Sequence, residues 1–397
     1  MDREKHTQTL KVLSERFLQL CETFFLLSLF IMKNLLLFIV LASSQYLFSQ
    51  NEVKKIHSLL SSIYKSDEPG IAIAIQQNGK TIFENGYGLA NLETKEKISP
   101  TSNFNIGSLT KQFTAFGILR LAAAELLSLD DSIIKFFPQF NRKVGSIITI
   151  RHLLTHSSGI IDHYAFVDTN VVKHATDKDV FNAVKNIDST YFTPGTKFRY
   201  SNTAYCLLAL IIEKISGYAY PYFMKENIFI PLGMNNSQVL KINNPITNRA
   251  FGYDTSQNGF KRLDRNDAIF FSTEGDGGIY TSVADYARWF NSLRAGFLLD
   301  QEWIEKARSA QFPVDEKNKL SYGFGWFINE QNNFKEVYHT GSNGGFRAIS
   351  FSIPSKNYLI IILSNRTGVD LENIVQEINK ILGVAGNFYT KIDALES

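Results

Sequence analysis

The sequence predicts an α+β fold, an α/β sandwich. One antiparallel sheet is built from both chain ends and flanked by helices, with a mostly helical lobe inserted between them. Strand-like hairpin patterns stand near each end of the chain, and helical periodicity fills the middle. No repeats, low-complexity tracts or proline-rich linkers interrupt the 397 residues. The expected organisation is an N-terminal extension and signal peptide over residues 1–50, then one domain over 51–390. Within that domain an α/β lobe takes 51–105 and 276–390, and the helical lobe takes 106–275. A cleft between two such lobes is a common place for a substrate site.

Taken in order, the elements justify this outline. "MKNLLLFIVLASSQYLFSQ" begins at Met32, carries Lys33, runs apolar from Leu35 to Ala42 and ends in small or polar residues. That is the layout of a secretory signal peptide, with residues 1–31 as an upstream extension from a misplaced start codon. The alternative is an N-terminal membrane anchor from Phe24 to Phe48, but Lys33 and Asn34 interrupt it and neither apolar half spans a bilayer. A periplasmic or secreted protein is expected, touching membrane only through an uncleaved N-terminal segment. A short amphipathic helix over Glu52–Tyr64 precedes a hairpin, Ile71–Ile75 and Thr81–Phe83, with Asn78-Gly79 as its turn. Helices are predicted over Lys111–Ala124, Asp177–Val184 and Ala204–Ser216, the last stopped by Gly217. A second hairpin turns around Pro354–Asn357, and a helix over Leu371–Leu382 ends at Gly383.

Composition narrows the function classes. With 44% apolar and 20% charged residues the chain reads as a soluble globular protein. Its 41 basic and 38 acidic residues are mixed throughout, and no Lys/Arg block or basic stripe points to nucleic acid. Cys21 precedes the processing site and Cys206 sits in an apolar helical run, so no structural disulfide is expected. CxxC spacing is absent, and no zinc site of the cysteine type or other cofactor is predicted. Oligomeric state is not written in these features.

"NIGSLTKQFTAF" places Ser108 and Lys111 about one turn apart on one helix face. Alone, this pair is either a helix cap with a surface lysine or a nucleophile with its base. A nucleophilic serine needs a base in hydrogen-bond reach, a route for the leaving-group proton and donors aimed at the oxyanion. A helix start supplies free N–H groups and a favourable dipole, and the apolar sequence around Lys111 permits the burial a lysine base requires. Two further segments bear on the choice. "PGTKFRYSNTAY" carries Tyr200-Ser201-Asn202 before a helix, and "YHTGSNGGF" carries His339-Thr340-Gly341 at the start of a strand pattern.

With these three in order, the chain resembles the serine penicillin-recognising enzymes, in the branch of class C β-lactamases, DD-carboxypeptidases and related esterases. S-x-x-K is Ser108–Lys111, Y-x-N is Tyr200–Asn202, and the third motif is His339–Gly341, with histidine where lysine is usual. The likeness runs from Gly70 to Asn365 and includes "LLTHSSGI", "EGDGGIYTSVADYARW" and "YGFGWFI". It implies that Ser108 attacks an acyl carbon, that Lys111 takes or shuttles its proton, and that Tyr200 is a second proton carrier. Asn202 would position Lys111 and the substrate amide, and the N–H groups of Ser108 and Ser342 would form the oxyanion hole. His339 and Thr340 would face the substrate's far side, where family members hold a carboxylate, and Gly341 would let the strand approach closely. The implied function is hydrolysis of D-amino-acid peptides, amides or esters, a small-molecule or peptidoglycan-like acyl substrate. Class C β-lactamase activity is the alternative, and a penicillin-binding sensor or scaffold is the non-enzymatic one.

His152, His156 and His163 in "RHLLTHSSGIIDH" invite a zinc reading, which the lack of an H-E-x-x-H pattern disfavours. No G-x-S-x-G elbow is present. Asn235-Asn236-Ser237 reads as a surface loop, and Gly275, Gly277 and Gly278 as turns. Two departures from the family pattern carry expectations. Glu125 stands where glycine usually ends the S-x-x-K helix, which predicts an altered helix end, with Glu125 strained if the chain turns through a left-handed conformation there. His339 in place of lysine predicts weaker, pH-dependent carboxylate binding.

Overall fold

The computed structural model describes residues 33–34, 50–167, 174–241, 244–256, 259–263, 272–331 and 334–384. Nearly all of the expected signal segment lies outside these. The chain divides into two units, residues 1–59 and 60–397. Of the first, residues 50–59 are helical. No helix among the described residues is long and apolar enough to cross a membrane.

Eight antiparallel strands organise the second unit: β1 (Ile71–Gln77), β2 (Lys80–Tyr87), β3 (Phe312–Asp315), β4 (Leu320–Tyr322), β5 (Phe327–Asn329), β6 (Glu336–Asn343), β7 (Phe346–Ile353) and β8 (Tyr358–Ser364). Their spatial order is β3-β4-β5-β6-β7-β8-β1-β2, so the sheet is assembled from both ends of the domain, as the hairpin patterns predict. β1 and β8 pair from Ile71 opposite Ser364 to Gln77 opposite Tyr358. Asn78 and Gly79 turn between β1 and β2 with φ of 53° and 76°, the geometry this dipeptide favours.

The two faces of β1 differ in a way its sequence dictates. Ala72 and Ala74 join Leu359, Ile361 and Leu363 of β8 in the main hydrophobic core, while Ile71, Ile73 and Ile75 are buried on the opposite face. A strand covered on both faces reads as a continuous apolar run, which "IAIAI" is.

The helices that matter for the site are α1 (Thr110–Ala123), α2 (Ile150–Leu154), α3 (Asp177–Val184), α4 (Asn202–Ser216), α5 (Val283–Ala295) and α6 (Leu371–Ile381). α5 packs on β1 and β8, α6 packs on β7, and α1, α2 and α3 all pack on α4. α1 is buried on nearly every side, with Arg120 partly exposed. Phe113 stacks on Trp289 of α5 at 4.5 Å between centroids, and Phe116 meets the same indole edge-on at 4.8 Å. This clamp holds the helix that carries Lys111.

Helix boundaries fall within two residues of the predicted ones. The end of α1 is not altered by Glu125, although the residue takes the left-handed backbone: Glu125 has φ 58°, its N–H donates to Ala122 O, and Leu126 N–H donates to Leu121 O. That is the paired closure ordinarily made with glycine at the left-handed position. The third motif is a correction of detail, since His339–Gly341 lies in the middle of β6 rather than at a strand start.

Candidate active site

Ser108 sits in a single 3₁₀ turn, Gly107–Leu109, that runs into α1. β5 pairs with β6 only through Glu336–Tyr338, and the Gly107–Leu109 turn packs against β6. Two glycines permit the approach. A Cβ on Gly107 would stand 2.7 Å from Ser342 N; one on Gly341 would stand 2.2 Å from Ile106 O and 3.2 Å from Ser108 N. The backbones bearing the Ser108 and Ser342 N–H groups are thereby in contact. Gly107, at φ 50°, donates to Asn105 Oδ1 at 2.9 Å, and Asn105 Nδ2 donates to Gly277 O at 3.1 Å.

Lys111 is fully buried, as its apolar surroundings permit. Its Nζ lies 3.1 Å from Ser108 Oγ, 2.8 Å from Asn202 Oδ1 and 3.0 Å from Asp276 O. Two pure acceptors match the two N–H bonds of a neutral amine, which leaves its lone pair for the Ser108 hydroxyl; as an ammonium, the group donates all three. The geometry satisfies either protonation state. Nζ also stands 4.8 Å from the ring centre of Tyr200, which is buried. Asn202 turns its Nδ2 to Tyr164 Oη at 2.6 Å, and Tyr164 is half exposed.

The segment carrying Asp276 is stitched to α1. Both Asp177 carboxylate oxygens accept from it, from Glu274 N and Gly275 N at 3.0 Å each. Thr114 Oγ1 donates to Gly275 O at 2.6 Å, and Ile279 N donates to Thr110 Oγ1 at 3.1 Å. Asp177, Cys206 and Asp276 bring ligand-type atoms within 4.8 Å of one another. Burial pushes both the Asp177 carboxyl and the Cys206 thiol well above their usual ranges, which favours protonated groups there. The three histidines of the zinc reading serve separate segments: His152 Nδ1 accepts from Thr149 N, His156 Nδ1 from Ser201 N, and His163 Nδ1 meets Thr203 Oγ1.

His339 departs from its expectation. It is fully buried, its Nδ1 lies 2.6 Å from Thr340 O and its Nε2 2.9 Å from Tyr322 Oη. Because a carbonyl only accepts, Nδ1 carries the proton and Nε2 accepts from the tyrosine. Burial, with Lys111 nearby, drives its pKa down to about 3. The ring is a neutral strut inside the wall of the site and does not supply a pH-dependent charge at its surface.

Ser108 Oγ and Asn202 Oδ1 thus meet at Lys111 Nζ with the Tyr200 ring beside it, and Gly341 and Ser342 abut the turn of Ser108. Sequence reasoning missed the Asp276 carbonyl, Asn105 and Tyr164. It had singled out the segments holding Asp276 and Tyr322 without assigning them parts.

These distances assemble the site of a serine hydrolase. The chain belongs to the Beta-lactamase family, whose sequence model matches residues 55–382. It is 30% identical over 335 residues to penicillin-binding protein 4* of Bacillus subtilis (strain 168), covering 80% of this chain and 72% of that protein. It is 29% identical to protein flp of Staphylococcus aureus (strain N315), covering 83% of this chain and 66% of that longer protein. Among solved structures, the octameric penicillin-binding protein homologue of Pyrococcus abyssi shares the fold with a TM-score of 0.72. It is 30% identical, with 83% of this chain and 77% of that chain covered.

Proposed function

We propose that the protein is a serine hydrolase that forms an acyl-enzyme on Ser108 and acts on D-amino-acid peptides, amides or esters. The single observation that carries this reading is the placing of Lys111 Nζ on Ser108 Oγ, Asn202 Oδ1 and Asp276 O together. Ser108 Oγ attacks the acyl carbon as its proton passes to Lys111 Nζ. The resulting oxyanion is met by the Ser108 and Ser342 N–H groups. Tyr200 returns a proton to the departing amine or alcohol as the tetrahedral intermediate collapses. Water then repeats the sequence, losing its proton to the same groups and releasing Ser108 with its own proton restored. The 30% identity to a protein named as penicillin-binding supports the reading that penicillins acylate Ser108.

The neutral, buried His339 argues for substrates other than β-lactams as those turned over, because it puts no fixed cation where family members hold a carboxylate. Export through the N-terminal segment is part of this proposal and is checked by sequencing the mature N-terminus.

The test is intact-mass labelling with a fluorophosphonate and with penicillin G, comparing wild type with Ser108→Ala. Equal labelling of the alanine variant would remove Ser108 as nucleophile. A panel of D-Ala-D-Ala peptides, D-amino acid amides, p-nitrophenyl esters and cephalosporins then ranks substrates. Rapid cephalosporin turnover would favour the class C β-lactamase reading, and labelling without turnover of any substrate would favour a sensor.

A further inference from the structure

α2 closes as α1 does, with a side chain at the position glycine ordinarily takes. Ser157 N–H donates to His152 O at 3.0 Å, His156 N–H donates to Leu153 O at 3.4 Å, and His156 has φ 55°. Glycine would end the helix there without strain. What histidine adds is a ring and a nitrogen, directed at the adjacent residues Tyr200 and Ser201.

The main-chain O of His156 accepts from Arg199 N at 2.9 Å, and its Nδ1 accepts from Ser201 N at 3.0 Å. The two residues flanking Tyr200 therefore both hang on His156. Its ring also lies on the Tyr200 ring, with centroids 4.2 Å apart and planes at 31°. Tyr322, Tyr205 and Phe198 close around the imidazole at 4.7, 5.1 and 5.8 Å. With Nδ1 accepting, the proton sits on Nε2, which is buried and meets no polar partner among the described residues. Burial, with Lys111 and His339 nearby, holds the ring well below the ordinary histidine range. A left-handed backbone and an orphaned N–H are two local costs at one residue, and such costs gather where function requires them.

We propose that His156 is the positioning residue of Tyr200, aiming its hydroxyl at the Ser108–Lys111 pair through the stacked ring and the Ser201 bond. This rests on the reading of Tyr200 as a proton carrier. A polar cap alone would need no ring, and an apolar filler would need no nitrogen. His156 supplies both, from a rigid helix end, to the one side chain that the three-motif site draws from an irregular segment.

The test is a double-mutant cycle read as the single-turnover rate of Ser108 acylation by p-nitrophenyl acetate. His156→Asn tolerates the left-handed backbone and keeps an acceptor for Ser201 N–H, but removes the ring. Misplacing a reacting group by ~1 Å costs on the order of 100-fold. His156→Asn is therefore expected to slow acylation by roughly 10- to 100-fold, with KM changed less than about threefold. In a Tyr200→Phe background the same substitution is expected to change the rate by less than about twofold, because the group it aims is gone. Equal slowing in both backgrounds, or none in the wild type, overturns the positioning role. If Tyr200→Phe alone acylates at the wild-type rate, the proton-carrier reading falls and takes this proposal with it. Should His156→Asn fail to melt cooperatively, His156→Phe goes through the same cycle; it keeps a ring on Tyr200 and loses the Ser201 acceptor.

Discussion

Tyr322 Oη donates to His339 Nε2 at 2.9 Å, and this bond caps the one open nitrogen of a ring that burial keeps neutral. With Nδ1 donating to Thr340 O and Nε2 accepting from the tyrosine, both ring nitrogens are satisfied in the neutral form, and burial disfavours a second proton. His339 is expected to stay neutral from pH 5 to 8, so its ring-proton NMR signals should not titrate there. A midpoint near 6.5 would contradict the structure. Since the folded pKa is depressed to about 3, the neutral ring contributes stability that is full above pH 6.5 and is lost as pH falls from there toward 3. Tyr322→Phe strands a buried acceptor and is expected to destabilise by about 1–3 kcal/mol, measured by urea unfolding at pH 7.

Gly341→Ala puts a methyl 2.2 Å from Ile106 O, a backbone atom that cannot rotate away. The turn of Ser108 and β6 must then part. Losing one oxyanion donor costs on the order of 100-fold, so acylation of the Ala variant is expected to fall by at least about that factor. An unchanged burst of p-nitrophenol from the variant would show that the Ser108 and Ser342 N–H groups do not act together.

Glu125→Gly should stabilise. At φ 58° a side chain costs about 1 kcal/mol relative to glycine, and part of that is offset by the greater freedom glycine gains on unfolding. A rise of a few tenths to about 1 kcal/mol in unfolding free energy is expected, with acylation unaltered. A fall in stability would mean that Glu125 makes a contact worth more than the strain.

Glu274 gives the fold an opposite pH slope. Burial and the nearby Glu213 carboxylate raise its pKa to about 7, against the pull of Lys241. Between pH 4.5 and 7 the folded state keeps a proton that the unfolded state releases, so this carboxyl makes stability fall as pH rises across that window. Glu274→Gln is expected to flatten that part of the profile in denaturant unfolding at pH 5, 6 and 7. A slope unchanged by the substitution would assign the effect elsewhere.

The site was legible in proportion to how local its signals are. Ser108 and Lys111 are one helical turn apart, so spacing alone puts them on one face. Glu125 was singled out by comparison with the family pattern, and the closure of α1 absorbs it at a left-handed backbone without changing the helix end. The Asp276 carbonyl was invisible, because main-chain acceptors leave no residue signature and only the strap from Asp177 to Thr114 brings this one to Nζ. His339 was misjudged for a related reason. Its charge depends on Tyr322, in another strand, and on burial that the sheet order creates. The sequence offered His156 only as part of a zinc reading, because its hold on Tyr200 arises from a contact between the end of α2 and the segment before α4.

The pairing of β1 with β8 sets a timetable for the newborn protein. Gly70 and Asn365, hydrogen-bonded at 2.7 Å, are 295 residues apart in the chain. During synthesis Ser108 and Lys111 emerge early, whereas β3 to β7, which pair in chain order, are joined to β1 and β2 only when β8 is made. Contacts of such long range close late and slowly. A chain stalled before β8 therefore carries Ser108 and Lys111 while the two halves of the sheet, β1–β2 and β3–β7, are still unjoined.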